Sequence, residues 1–285
     1  MPASRNLPVK KTYCALALLF LFAGPRLQAQ PASEAREGAW AFMPAQTLFE
    51  PLVGDPREPS IGLNAYLSDM GYEDSVGASV DFLHWRSSRD TQWAFGMSAG
   101  LWTLTRNPDL SVLWADDLYT GLYASGKSGP FSFRLEFLDQ KSNLGDALFY
   151  SRSAILYTLN YEKLTASLWA LPGLRLYAGG GYPSYWQHID PAESEILLLA
   201  GLEAHSDPFR FLGPCGAYGT YHFQYQGQAG GTFNHEFQAG LQWRQEPRQG
   251  WSVRLAMVYY LGHSEFGQFY PQYDQHLGIG LYFDP

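Results

Sequence analysis

The sequence predicts an all-β fold: a transmembrane antiparallel β-barrel of about 12 strands, preceded by an extended N-terminal segment. Three observations carry this. Charged residues make up 16% of the chain, below the roughly 25% of ordinary soluble domains, and aromatics also reach 16%. Mean hydropathy is −0.22, so the apolar residues are dispersed rather than gathered into long spans. From residue 59 onward apolar and polar residues alternate with a period of two, which means strands half-buried between two different environments.

The first element, residues 1–29, reads as a secretory signal. Arg5, Lys10 and Lys11 form a positive start, Tyr13 to Gly24 a short apolar core, and Leu27-Gln28-Ala29 a cleavage site. The apolar core is shorter than the roughly 20 residues a membrane-spanning helix needs. Of the 19 Lys and Arg, four (Arg5, Lys10, Lys11, Arg26) lie in this segment, which has no acid; the mature chain keeps 15 against 27 Asp and Glu, a net charge of −12. That balance excludes nucleic acid as a partner. Cys14 leaves with the signal and Cys215 remains alone, so no intrachain disulfide forms, and Cys215 is expected to be a buried filler. Residues 30–58 follow as a periplasmic or lumenal segment. Its stretch MPAQTLFEPLVGDPREP has four prolines and cannot be a central strand.

Residues 59–285 are the barrel. The expected strands are 59–67, 75–87, 91–106, 110–126, 130–141, 161–170, 173–182, 194–206, 215–228, 232–245, 251–265 and 272–283. In PFSFRLEFL, Phe131, Phe133, Leu135 and Phe137 share one face and Ser132, Arg134 and Glu136 the other. A soluble sandwich would hide its apolar faces and charge its outside. Here the polar faces carry little charge and much Gly, Gln, Ser and Tyr, and bulky aromatics sit near strand ends, as in a barrel with lipid outside. A secreted soluble β protein is the alternative. Because hydrocarbon tolerates no open sheet edge, such strands must close into a ring. The last strand follows the same rule: Leu277, Ile279, Leu281 and Phe283 face lipid, Gly278, Gly280 and Tyr282 the lumen. Residues 276–283 resemble the C-terminal signal read by the bacterial barrel assembly machinery, with the difference that Asp284 and Pro285 follow the aromatic. The expected location is the bacterial outer membrane, with its lipids and lipopolysaccharide as surroundings.

No phosphate loop, zinc helix motif, paired-cysteine motif or nucleophile elbow is present, so no cofactor or metal site is expected. Calcium at Asp116-Asp117 or His188-Ile189-Asp190 competes with the reading of those residues as solvated loops. The candidate catalytic residues are His263, Ser264 and Glu265, with Ser142. On a strand His263 and Glu265 share a face and Ser264 takes the other, so the three make no relay without a bend; parity places His263 and Glu265 outward, at headgroup level. Asp139 and Lys141 likewise continue the outward parity of Phe131 to Phe137. The lumen is expected to hold Arg134, Glu136, Arg175, Glu203, His222, Gln224, Gln226, Asn234, Glu236 and Gln238, with Asp117. These form either a plug of hydrogen-bonded side chains or a polar pore or ligand cavity, depending on whether residues 30–58 fold inside.

Five blocks, FMPAQTLFEPLVGDPREP (42–59), RLEFLDQKSNLGD (134–146), LRLYAGGGY (174–182), YHFQYQGQ (221–228) and GHSEFGQFY (262–270), together resemble an uncharacterised bacterial outer-membrane family, domain of unknown function twelve-zero-seven. The resemblance implies a barrel and no established activity. The family pattern ends strand five in a His-x-Ser-Ser-His-Leu-Gly-Asp-Glu run, where this chain has Asp139, Gln140, Lys141, Ser142, Asn143, Leu144, Gly145, Asp146 and Ala147. An outward His-x-Ser pair is similar to what lipid hydrolases use; Asp139 and Lys141 would pair with each other instead. The functional expectation is a barrel without evident catalysis, acting as a pore, a ligand-binding barrel or an envelope structural element. The alternative is a lipid-modifying enzyme, like a phospholipase or lipid A deacylase.

Overall fold

The computed structural model describes residues 38–284 apart from 68–70, 89, 107–111, 150–153, 156, 188–195, 210–211, 228–230 and 245–250. The signal segment and the His188–Asp190 candidate lie outside the described residues. The described residues form thirteen strands: β1 (Trp40–Phe42), β2 (Ile61–Tyr66), β3 (Gly71–Arg86), β4 (Thr91–Arg106), β5 (Leu113–Ser128), β6 (Phe131–Leu144), β7 (Tyr157–Leu171), β8 (Leu174–Gln187), β9 (Leu197–His205), β10 (Cys215–Gln226), β11 (Thr232–Arg244), β12 (Ser252–His263) and β13 (Tyr273–Asp284). Strands β2 to β13 pair antiparallel in chain order, and β13 pairs back to β2, Ile279 opposite Ala65 and Leu281 opposite Leu63. The sheet is therefore a closed transmembrane barrel of twelve strands. Among the described residues no helix is long and apolar enough to cross a membrane.

Alternation explains the placement of every strand. On β6, Phe131 and Phe137 are exposed and Ser132, Arg134 and Glu136 are buried. A barrel buries its polar face against itself and leaves its apolar face for lipid. Leu122, Phe237, Met257, Ile279 and Leu281 accordingly stand outward and exposed. Aromatic rings gather at both rims. Trp40 stacks on Trp85, Trp93 meets Phe133 edge-on and Trp251 lies over Phe283 at the end that holds the termini. Phe223, Phe233 and Tyr225 cluster at the opposite end. Such rings anchor a barrel at headgroup level.

The expected strands are all found, within a few residues at each boundary. Strand β1 is an addition to them. It pairs with the terminal end of β3, Trp40 opposite Trp85 and Phe42 opposite Leu83. Strand β2 takes the other end of the same edge, Gly62 opposite Ser75 through Ala65 opposite Tyr72. The chain between them, residues 43–60, leaves the wall at one point and rejoins it at another. In between it runs through the lumen.

Candidate functional site: the plugged lumen

The irregular segment 43–60 has backbone groups that no strand satisfies, and the inward wall residues supply their partners. Asp81 of β3 accepts the Leu48 N–H at 2.6 Å and the Tyr123 hydroxyl at 2.6 Å. Arg175 of β8 donates to the Glu50 carbonyl at 2.7 Å and the Pro51 carbonyl at 2.9 Å, while Glu203 of β9 accepts the Val53 N–H at 2.6 Å. Trp102 of β4 donates its indole N–H to the Pro56 carbonyl at 3.2 Å. Non-regular backbone at membrane depth requires this kind of enclosure by protein.

Side chains lock the segment further. Arg134 of β6 grips Glu58 with two hydrogen bonds of 2.7 Å, and its Nε lies 3.2 Å from Glu136. Lys163 of β7 bridges Glu136 at 3.2 Å and Asp55 at 3.9 Å. The Phe49 ring lies between two guanidinium groups, 4.7 Å from Arg134 and 5.1 Å from Arg175. Gly54 crosses so close to Tyr177 and Thr220 that a Cβ there would stand 3.1 Å from both. Arg254 of β12 binds Asp284 through two 2.8 Å bonds and reaches the Val53 carbonyl at 3.4 Å.

The opposite mouth is closed by the connection between β12 and β13. A single 3-10 turn, Gly267–Phe269, dips inward. Gly267 N–H donates to Asp117 at 3.1 Å and Gln268 N–H to the Ser142 hydroxyl at 3.0 Å. The Gln268 amide also donates to the carbonyls of Ser142 at 2.8 Å and Ile155 at 2.7 Å. Phe266 and Phe269 pack with Tyr66, Trp102, Leu104 and Tyr119.

Arg134, Glu136, Arg175, Glu203, His222, Asn234, Glu236, Gln238 and Asp117 are buried, and Gln224 and Gln226 are half-buried. The catalytic candidates do not assemble. The Ser142 hydroxyl donates to Asp117, and the His263 ring faces the Tyr270 carbonyl at 3.1 Å. Ser264 is buried and accepts the Phe266 N–H at 3.4 Å. Glu265 corrects the parity argument: β12 ends at His263, the chain turns, and Glu265 enters the lumen instead of facing headgroups. Asp139 and Lys141 do face outward and pair at 2.9 Å. Asp116 accepts the Asn143 amide at 2.8 Å, Asp117 is spent on Gln140, Ser142 and Gly267, and among the described residues no His, Cys, Asp and Glu group has a metal-holding arrangement.

Among the described residues, two cavities lie along the barrel. The larger, about 150 Å3, lies toward the terminal end and is lined by His205, Arg244 and Asp284 among others; the smaller, about 40 Å3, lies toward the opposite mouth beside Tyr157, Gln226 and Tyr270. Asp55 and Glu265 border both, so the septum between them is built from the plug and the inward loop. Eight acidic side chains line the larger cavity: Glu50, Asp55, Glu58, Glu73, Glu203, Glu236, Glu265 and Asp284, against Arg175, Arg244 and Arg254, with Glu58, Asp55 and Glu73 also meeting Arg134, Lys163 and Arg57. Burial pushes the Glu265 carboxyl well above its ordinary 4.5, more than the nearby Arg57 lowers it, and the charges of Glu236 and Glu73 push the same way.

Sequence parity missed the plug's own contributions, Phe49, Asp55, Arg57 and Glu58. It also passed over Asp81, Lys163 and Arg254, although each is a charge at an inward position of an expected strand, and Glu73, which lies before the expected start of its strand at residue 75. For the first three that signal was available.

The chain belongs to the family described as Protein of unknown function (DUF1207), whose model matches residues 27–284. No curated protein matches the sequence. Among solved structures, the barrel is similar to the translocator domain of the autotransporter NalP from Neisseria meningitidis, with 14% identity, a TM-score of 0.40, and coverage of 78% of this chain and 84% of that one. The β domain of the Bordetella autotransporter Brka gives 12%, 0.38, 79% and 95% in the same order. Pseudomonas aeruginosa OccK10 (OpdN) gives 13%, 0.29, 88% and 80%.

Proposed function

We propose that this protein is an outer-membrane barrel, shut at rest by its own residues 43–60, that takes a small cationic or neutral polar solute into the lumen chamber. The observation that carries this is the acid-rich lining of the 150 Å3 cavity. That volume admits a molecule of about benzene size, and acidic walls at low dielectric concentrate cations and repel anions. The exposed apolar belt and the aromatic rims support residence in the outer membrane, with the strand 276–283 presented to the assembly machinery and the outer rim to lipopolysaccharide. An even number of strands puts both termini on one side of the membrane together with the tight turns, and in this reading that side is the periplasm and the inward loop 264–272 faces the cell surface. The Asp139–Lys141 pair, the His263 ring turned to the Tyr270 carbonyl and the Ser142 hydroxyl given to Asp117 lend the lipid-hydrolase alternative no support.

The test uses residues 30–285 refolded into lipid vesicles, with correct folding checked by faster gel migration unboiled than boiled. Calorimetric titration with methylguanidinium, glucose and acetate should show binding in the order cation, neutral, anion. Planar-bilayer conductance of the intact chain should be near the baseline and rise on deletion of residues 44–58. A freely conducting intact chain, or a preference for acetate, would overturn the reading.

A further inference from the structure

Arg57 is the one cation that the plug itself pushes into the septum, and its setting differs from that of the wall arginines. Its guanidinium lies over Phe266 at 4.4 Å, Trp102 at 5.4 Å and Tyr119 at 5.9 Å. Its Nη1 reaches Glu73 at 3.4 Å, and its Nε is 3.9 Å from Glu265, beyond hydrogen-bond range. The side chain is 9% exposed, yet Nε and Nη2 have no hydrogen-bond partner. Arg134 also leaves its Nε without a hydrogen bond, but both of its terminal nitrogens hold Glu58 at 2.7 Å, whereas Arg57 makes a single bond of 3.4 Å. Beside the cage, Asn64 stands opposite Glu73 across the β2–β3 pair; it is 7% exposed, lines the chamber, and its Oδ1 has no partner. A carboxylate, an idle amide oxygen and three aromatic faces form a receptor for a flat cation, and Arg57 fills it imperfectly.

We propose that this cage is a binding site for guanidinium and primary ammonium solutes, with Arg57 as a built-in stand-in ligand that keeps the barrel shut. Arg57 comes from the plug, Glu73 from the wall and Phe266 from the outer loop, so the same contact ties the three parts together. A solute that takes over Glu73 and the rings displaces Arg57 and parts the septum bordered by Asp55 and Glu265. The two cavities then join. The contact is autoinhibitory, and its release depends on the solute's having the chemistry of the side chain it replaces. The inference rests on the chamber reading given above and adds to it a site, a ligand class and a gate.

The experiment titrates methylguanidinium into three refolded proteins, intact, Arg57→Gln and Glu73→Gln, following calorimetric binding and conductance in planar bilayers. In Arg57→Gln the cage is vacant. Methylguanidinium should bind at least tenfold tighter than to the intact chain, and conductance should appear without solute. In Glu73→Gln binding should weaken at least tenfold. In the intact chain conductance should rise saturably with methylguanidinium and not with glucose. Equal affinity in all three proteins would overturn the cage while leaving the chamber reading in place. Absence of binding and flux in the intact and Arg57→Gln proteins alike would overturn both. If Arg57→Gln fails to fold, Glu73→Gln decides: unchanged affinity there sinks the proposal.

Discussion

The Glu58–Arg134 pair is the tightest clasp between plug and wall, and Glu58→Ala tests whether it holds the lumen shut. Their side chains are 5% and 2% exposed, so both charges sit out of water. Removing one partner of a buried pair strands the other, at a cost of about 3–5 kcal/mol. Arg134 keeps Glu136 at 3.2 Å and the Phe49 face, which favours the lower end of that range. At about 1.4 kcal/mol per tenfold, a loss of about 3 kcal/mol raises the undocked population of the plug about a hundredfold. The barrel strands do not depend on this pair, so the loss should fall on plug docking and not on barrel folding. The assay is the rate of proteolytic nicking within residues 43–60 in intact vesicles, with gel heat-modifiability reporting the barrel. The double variant Glu58→Ala/Arg134→Ala should nick more slowly than Glu58→Ala alone, because no buried charge is left unpaired. A nicking rate within threefold of the intact chain would refute the claim that this pair holds the plug.

Four further outcomes are expected. Phe49→Ala should release the plug by about 3 kcal/mol, the cost of emptying a buried phenylalanine site, read in the same nicking assay; no change would mean that the two guanidinium faces contribute nothing. Glu265 binds its proton more tightly in the closed state than when exposed, so its contribution to closure is full below its ordinary 4.5 and is lost as pH rises toward its raised value. Open probability should therefore increase with pH, and Glu265→Gln should abolish that increase. Ile279→Lys places a charge on the exposed apolar face midway along β13 and should cost about 2–4 kcal/mol in urea titrations of the folded barrel. Lys141→Ala should change stability by less than about 0.5 kcal/mol, because its ion pair with Asp139 is exposed and screened, and a larger loss would mean that the outer rim of β6 carries structural weight.

The amino-acid sequence by itself determined the barrel. Alternation is a local property, visible within ten residues. When twelve segments each have one apolar and one weakly charged face, the same constraint acts on all of them, and closure follows because hydrocarbon leaves no water to satisfy an edge. It also determined which polar side chains share a face, because parity carries from Phe131 to Lys141 without a break. Parity failed at Glu265, two residues past the end of β12, where the chain is free to turn and local periodicity no longer reports direction. Only the tertiary structure decided that the lumen is filled. Residues 43–60 have no periodicity, and their partners lie far off in sequence, Val53 to Glu203 and Arg175 to Glu50. Prolines in that segment excluded a strand and left its destination open. Its place is set by charges and carbonyls that meet only once the barrel has closed around them, and the Arg57 cage, assembled from plug, wall and loop, exists at no earlier level of the structure.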